Sequence, residues 1–184
     1  DKFLNTKLNL YRCNFDGCIA YGRNGYFGGN GGAFYMSASD GYSMKNDFIF
    51  KECSFNNCSA KEGGAINLLG IGKLVFEDTN IDNCHAEGFG GAIHAQLANK
   101  IEFRSTDKNN IYGITNCKSD SFGGAIFMRD SFYNDNNNPL GIVGLVIKDY
   151  KIEDCKAEGA GAIGIDGVDV DIDNLSIKNC KAKM

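Results

Sequence analysis

The chain has 184 residues, the length of one domain. Its net charge is −4, with 19 Lys and Arg and 23 Asp and Glu interspersed. This leaves no basic stripe in the sequence to recommend nucleic acid and no acidic block that would act as a solvating tail. No run approaches the ~18 apolar residues of a membrane span. Eight cysteines, an even number, suit an oxidising compartment.

In chain order the sequence repeats itself. Phe15-Asp-Gly-Cys18-Ile-Ala20 reaches Gly31-Gly32-Ala33-Phe34 after an insert over 21–30. Phe55-Asn-Asn-Cys58-Ser-Ala60 leads to Gly63-Gly64-Ala65-Ile66, and Ile81-Asp-Asn-Cys84-His-Ala86 to Gly90-Gly91-Ala92-Ile93. Ile114-Thr-Asn-Cys117-Lys-Ser119 leads to Gly123-Gly124-Ala125-Ile126. Ile152-Glu-Asp-Cys155-Lys-Ala157 leads to Ala160-Gly161-Ala162-Ile163, and Ile177-Lys-Asn-Cys180-Lys-Ala182 begins a further copy. The shortest spacings are 26 residues, Cys58 to Cys84, and 25, Cys155 to Cys180.

Such a period marks a repeat architecture. The pieces inside each copy are strand-like. Phe48-Ile-Phe50, Leu74-Val-Phe76, Ile101-Glu-Phe103, Leu145-Val-Ile147 and Val168-Asp-Val170-Asp-Ile172 form one set. Cys53-Ser-Phe55, Thr79-Asn-Ile81, Tyr150-Lys-Ile152 and Leu175-Ser-Ile177 form a second, and Gly-Gly-Ala-Ile is the third. They are rich in β-branched and aromatic residues, run apolar or alternate, and lack helical periodicity. The expected fold is all-β, a single-stranded parallel β-helix with three short strands per coil and about 5–6 coils. Like residues then stack in columns, one of Phe and Ile, one of the six repeat cysteines, and two of small residues at tight approaches. The paired glycines are expected to take positive φ or an irregular bend. At ~4.8 Å per coil the rod is roughly 25 Å long.

The repeat resembles that of the chlamydial polymorphic outer membrane proteins, which also occurs in secreted proteins of other microbes. The resemblance rests on Phe or Ile, a small residue and then Gly-Gly-Ala-Ile, and it covers essentially the whole chain. One position departs: where that repeat usually has Asn, every copy here has Cys. The resemblance implies right-handed β-helix coils in a passenger domain displayed on a cell surface. Residues 1–184 are expected to form one β-helix domain. The chain starts at Asp1 and stops where a further Gly-Gly-Ala-Ile is due, so a fragment of a longer array is expected.

Cys13 and Cys53 lie outside the six-member column, two residues before the Phe of their copies. Stacked in adjacent coils, they fall within the Cα separation that a disulfide uses, ~4.4–6.8 Å. They are the pair best placed for a bridge. The six-member column reads either as small buried apolar residues or as coil-to-coil bridges, with reduced thiols favoured. Cys13-x4-Cys18 and Cys53-x4-Cys58 could offer four thiolates to zinc, at the long end of the usual spacing of two to four residues, but these cysteines sit in columns beside Phe15 and Phe55, which favours a core role. Asp169, Asp171 and Asp173 alternate along one strand at ~6.6 Å, too far apart to share a calcium ion. His85 and His94 each follow an inward residue and are expected in solvent, without a nucleophile partner. No cofactor or metal is expected.

The connections at 37–47, 70–72, 97–99, 129–140 and 166–167 all follow the Gly-Gly-Ala strand. They should project from one corner, where repeat proteins commonly place recognition loops. Tyr42, Phe132 and Tyr133, set among Ser, Asn, Gly and Asp, are the candidate partner-binding residues. Partners are expected to be other proteins or glycans on a surface, or coils of the same or an identical chain. The expected role is a structural or adhesive module of an extracellular or cell-surface protein. The alternatives are a polysaccharide-acting enzyme, with Glu77, Asp78, Asp149 and Asp173 as its acids, and a self-stacking filament subunit. Asn57-Cys-Ser59 and Asn174-Leu-Ser176 match the glycosylation pattern, in a chain where so many Asn make chance matches expected.

Overall fold

A computed structural model describes residues 7–22, 29–37, 46–130 and 144–183. Every described element is a strand, and the strands wind into six successive coils. Coil 1 holds β1 (Lys7–Tyr11), β2 (Asn14–Asp16) and β3 (Phe34–Ser37). Coil 2 holds β4 (Asp47–Lys51), β5 (Ser54–Asn56), β6 (Ser59–Ala60) and β7 (Ile66–Leu69). Coil 3 holds β8 (Lys73–Glu77), β9 (Asn80–Asp82), β10 (His85–Ala86) and β11 (Ile93–Gln96). Coil 4 holds β12 (Lys100–Arg104), β13 (Gly113–Thr115), β14 (Lys118–Ser119) and β15 (Ile126–Arg129). Coil 5 holds β16 (Gly144–Glu153), β17 (Lys156–Ala157) and β18 (Ile163–Asp166). Coil 6 holds β19 (Asp169–Lys178) and β20 (Lys181–Ala182).

Each strand pairs in parallel with its counterpart one coil away, giving the parallel β-helix that the repeat predicts. There are three sheets. The first two sequence pieces of each coil belong to one sheet, because β16 and β19 run through both without a break and bend at Asp149 and Asn174. The Cys-x-Ala piece forms two-residue strands that stack as a sheet of their own. The Gly-Gly-Ala-Ile piece feeds the third sheet.

The predicted columns are present. Phe55, Ile81, Ile114 and Ile152 are fully buried and in register. Beside them Phe50, Phe76 and Phe103 stack nearly face to face, with ring centroids 5.5 and 4.7 Å apart. Tyr150 lies over Phe103 and sends its hydroxyl to the Thr79 carbonyl, so a buried polar atom is paired. Cys58, Cys84, Cys117 and Cys155 stack inward in successive coils, at most 1 % exposed. Each thiol donates to the carbonyl two residues earlier: Asn56, Asp82, Thr115 and Glu153, at 3.2 to 3.4 Å. Burial lifts the Cys117 thiol well above its ordinary value, and hydrogen bonding with Cys155 and Cys84 adds to this.

Two kinds of corner turn the chain. Residue 90 has φ +66°, and a Cβ there would meet the Ile93 carbonyl oxygen at 2.0 Å, so only glycine fits. At Gly91 the obstacle is the adjacent coil: a Cβ would lie 2.1 Å from the Gly124 carbonyl oxygen. The other corner falls just before each cysteine. Gly17, Asn57, Asn83, Asn116, Asp154 and Asn179 all have φ between 51 and 64°. Asn and Asp tolerate this left-handed conformation better than other side-chain-bearing residues do.

Cys13 and Cys53 align across coils 1 and 2, flanked by the registered pairs Tyr11 with Lys51 and Asn14 with Ser54. Both are free thiols here. Cys13 donates to Tyr11, and Cys53 to Lys51 and Leu10, at 3.3 to 3.4 Å.

The columns divide the stabilising work unequally. Ile81→Ala removes a large fully buried side chain and should cost ~2–5 kcal/mol. Cys84→Ala trims a single sulfur from a site already occupied by a small residue and should cost about 1 kcal/mol. Urea denaturation of both variants checks the order; a larger loss from Cys84→Ala would mean that the thiol column holds the stack.

Candidate functional site

Three outer faces of the solenoid were built by the same stacking rule, and each handles polar groups differently. On the first sheet, Lys51, Glu77, Arg104, Lys148 and Asp173 form one column. Glu77 is clamped between neighbouring coils, 2.6 Å from Lys51 Nζ and 2.8 Å from Arg104 Nε. The hydrogen bond from Lys51 holds its carboxyl below the usual carboxylate range; partial burial opposes the shift and Arg104 adds to it. Glu102 meets Arg104 at 3.0 Å, Lys100 at 3.2 Å and Lys73 at 3.4 Å. Signs alternate from Lys51 to Glu77 to Arg104, and the result is a lattice of ion pairs over coils 2 to 4.

The four acids considered for polysaccharide chemistry are spread over coils 3, 5 and 6 and occupied separately. Burial pushes the Asp78 carboxyl up, but hydrogen bonds from Thr106 and Asp107 outweigh it and leave the group lowered. Asp149 accepts from the Asn174 amide at 2.6 Å. Asp173 is exposed and in register with Lys148. Asp169 and Asp171 are exposed along the same strand, as expected.

The outward column of the third sheet runs Tyr35, Asn67, His94, Phe127 and Gly164. His85 lies at the surface as expected, its Nε2 3.1 Å from Asp120 Oδ2. His94 does not: it is only 5 % exposed. The expectation fails because an outward position is not a solvated one where a loop folds over it. Phe89, from the connection after β10, lies 5.6 Å from His94 and 4.6 Å from Phe127, and Phe127 is 5.7 Å from His94. The Arg129 guanidinium caps Phe127 and Phe89 at 5.2 and 5.6 Å. Glu62 accepts the Phe89 backbone N–H at 2.7 Å and approaches His94 Nδ1 at 3.5 Å, out of line for a hydrogen bond. Neither imidazole nitrogen has a hydrogen-bond partner among the described residues. Burial, helped by the positive charge of Arg129, brings His94 down to about 4.

The outward column of the second sheet carries residues that sequence reasoning passed over. It runs Ser59, His85, Lys118, Lys156 and Lys181. Read along the chain, charges are mixed; read across the coils, three lysines stand in file. Their separations in sequence, 33, 38 and 25 residues from His85 onward, hide the file from any local window. Aligning the copies on cysteine and reading the next residue reveals it. Beside this file runs the corner column Asn83, Asn116, Asp154 and Asn179, and the two columns border one groove. Lys118 is held by Asp120 at 2.5 Å, whereas Lys156 and Lys181 make no ion pair among the described residues.

Tyr42, Phe132 and Tyr133, the loop residues singled out for partner binding, lie outside the described residues. Among the described residues no group of three His, Cys, Asp or Glu side chains is arranged to hold a metal ion, and no helix is long and apolar enough to cross a membrane. The chain matches no family model, no curated protein and no solved structure.

The buried imidazole has a measurable signature. His94 titrates near 4 when folded and near 6.5 when unfolded. The unfolded chain therefore takes up the proton first as pH falls. Its contribution to stability is whole above pH 6.5 and declines from there to about 4, by at most ~3 kcal/mol. Glu62, shifted up by burial, acts in the opposite sense at the acid end of that window. His94→Phe, which repeats the Phe127 of the next coil, should flatten the decline in denaturation curves taken from pH 7 to 4. An unchanged slope would place the titrating group elsewhere.

Proposed function

We propose that the chain is a structural and adhesive β-helix module of an extracellular or cell-surface protein, engaging proteins or glycans through loops on one corner. The observation that carries this is the contrast between connections at that corner. The third sheet is joined to the first by residues 38–46, 70–72, 97–99, 130–143 and 167–168. Some are minimal turns and others long insertions. The strands on both sides nevertheless keep one register: Ser37, Leu69, Gln96, Arg129 and Asp166 before the corner, and Asp47, Lys73, Lys100, Gly144 and Asp169 after it.

A scaffold that absorbs insertions of any length at one edge without changing its own hydrogen bonding is suited to display. Long connections cost little extra loop entropy, so the scaffold tolerates them at this edge. Over coils 2 to 4 the first sheet presents a face of mutually satisfied ion pairs, which supports a binding role over turnover at Glu77. The extracellular setting is supported by the resemblance of the repeat.

The corner is tested by shortening. Replacing residues 130–143, and separately 38–46, by the Gly-Ile-Gly turn of 70–72 should leave the thermal midpoint within a few degrees. Binding to a panel of fixed cells and immobilised matrix proteins should fall at least tenfold. Variants that fold and bind as tightly as the parent would remove the loops as the recognition surface.

A further inference from the structure

The second sheet leaves unneutralised the kind of charge that the first sheet cancels over coils 2 to 4. In-register strands of one sheet lie ~4.8 Å apart, so Lys118, Lys156 and Lys181 carry like charges on successive rungs. Like charges directly opposite each other on neighbouring strands are destabilising. On the first sheet the equivalent problem is solved by placing Glu77 between Lys51 and Arg104. On the second it is not solved within the chain: Lys156 and Lys181 are both exposed and without an ion pair among the described residues. The acids nearby are committed or peripheral. Asp120 is shared by Lys118 and His85. Asp154 stands in the amide column, Glu158 follows Ala157, and Lys183 adds a further cation on coil 6.

We propose that the file of Lys118, Lys156 and Lys181, together with the amides of Asn116 and Asn179 beside it, binds an acidic polysaccharide laid along the solenoid axis. This rests on the reading of the chain as a binding module and names a second surface for it, away from the loop corner. Two features select the ligand class. One cation per coil, at a fixed rise, suits a polymer that carries an anionic group at regular intervals. The column alongside carries the amides of Asn83, Asn116 and Asn179, which suit hydroxyl groups, with the Asp154 carboxylate among them on coil 5. Asn116 spends its Nδ2 on Asp82 and keeps its carbonyl oxygen to accept, and Asn179 makes no side-chain hydrogen bond among the described residues. A sulfated or uronate chain offers both kinds of group on every repeat.

Single-stranded nucleic acid fits less well. The groove has no Phe, Tyr or Trp on which a base would stack, and its one imidazole, His85, is engaged by Asp120.

The probes are heparin and polygalacturonate, with neutral dextran and single-stranded DNA of matched length as comparators. The wild-type chain should bind heparin or polygalacturonate, with affinity falling as salt rises, and should not bind dextran. Lys156→Glu combined with Lys181→Glu should lower that affinity at least tenfold; Lys156→Gln with Lys181→Gln should lower it less. Lys100→Gln, on the first sheet, should leave it unchanged, and all variants should keep the parental thermal midpoint. The loop-shortened variants should still bind the acidic glycans, which separates this site from the corner. The proposal is overturned if the charge-reversed chain binds as the parent does, if neither acidic glycan binds, or if DNA binds as tightly as the glycans. Loss of glycan binding on loop shortening alone would also overturn it while leaving the proposed corner in place.

Discussion

Everything in this molecule depends on one constraint: each coil must repeat the backbone path of its neighbours closely enough for parallel hydrogen bonds to form rung by rung. From Lys73–Glu77 to Lys100–Arg104 and on to Gly144–Lys148 every residue has a partner at the same height in the next coil. A residue is therefore never judged alone. It is judged against the same position one coil above and one below. That is why columns are chemically uniform where space is short and variable where it is not. Cysteine and alanine recur on the inner side of the second sheet, and the outer position between them varies from Ser59 to Lys181.

The same constraint explains the distribution of unusual backbone. A flat strand cannot close a coil, so curvature is concentrated at single residues in the left-handed region. Asn and Asp occupy it before the cysteines, and Glu52, Asp78, Asp149 and Asn174 occupy it between the five-residue and three-residue segments. Coil 4 is the exception, where residues 105–112 are inserted instead. Their backbone helps to cradle Asp78 on the coil below, through the Thr106 and Asp107 N–H groups. An insertion at a corner thus becomes a hydrogen-bonding partner for its neighbour and leaves the sheet intact.

How much of this was legible follows from which forces act locally. The Phe and Ile column, the cysteine column and the glycine pairs were legible because period, burial and steric need coincide in each copy. The fold followed from them. The Asn and Asp corners left a signal in the residue before each cysteine, overshadowed by the cysteine itself. His94 was misread because alternation tells which side of a strand a residue faces, and nothing about what else arrives there; Phe89 is brought in by a different coil segment. The lysine file was invisible to composition because it exists only after stacking. What those outer surfaces recognise is a matter of side-chain chemistry presented in space, and the repeat, which encodes the backbone path, does not carry it.

Uniform columns also mean that each coil touches only the coils on either side, so resistance to opening is a property of position along the axis. Coil 3 has neighbours on both sides, and Leu74, Phe76 and Ile81 are fully enclosed. In coil 6 the equivalent Val170, Ile172 and Ile177 are 41, 47 and 50 % exposed. Backbone amides of a coil enclosed on both sides must wait for a neighbouring coil to detach before solvent reaches them. Exchange of amide hydrogens with solvent would then be ordered by how many coils are stacked on each side, slowest where a coil is enclosed on both. This gradient follows from the stacking alone, with no difference in the strength of any single bond.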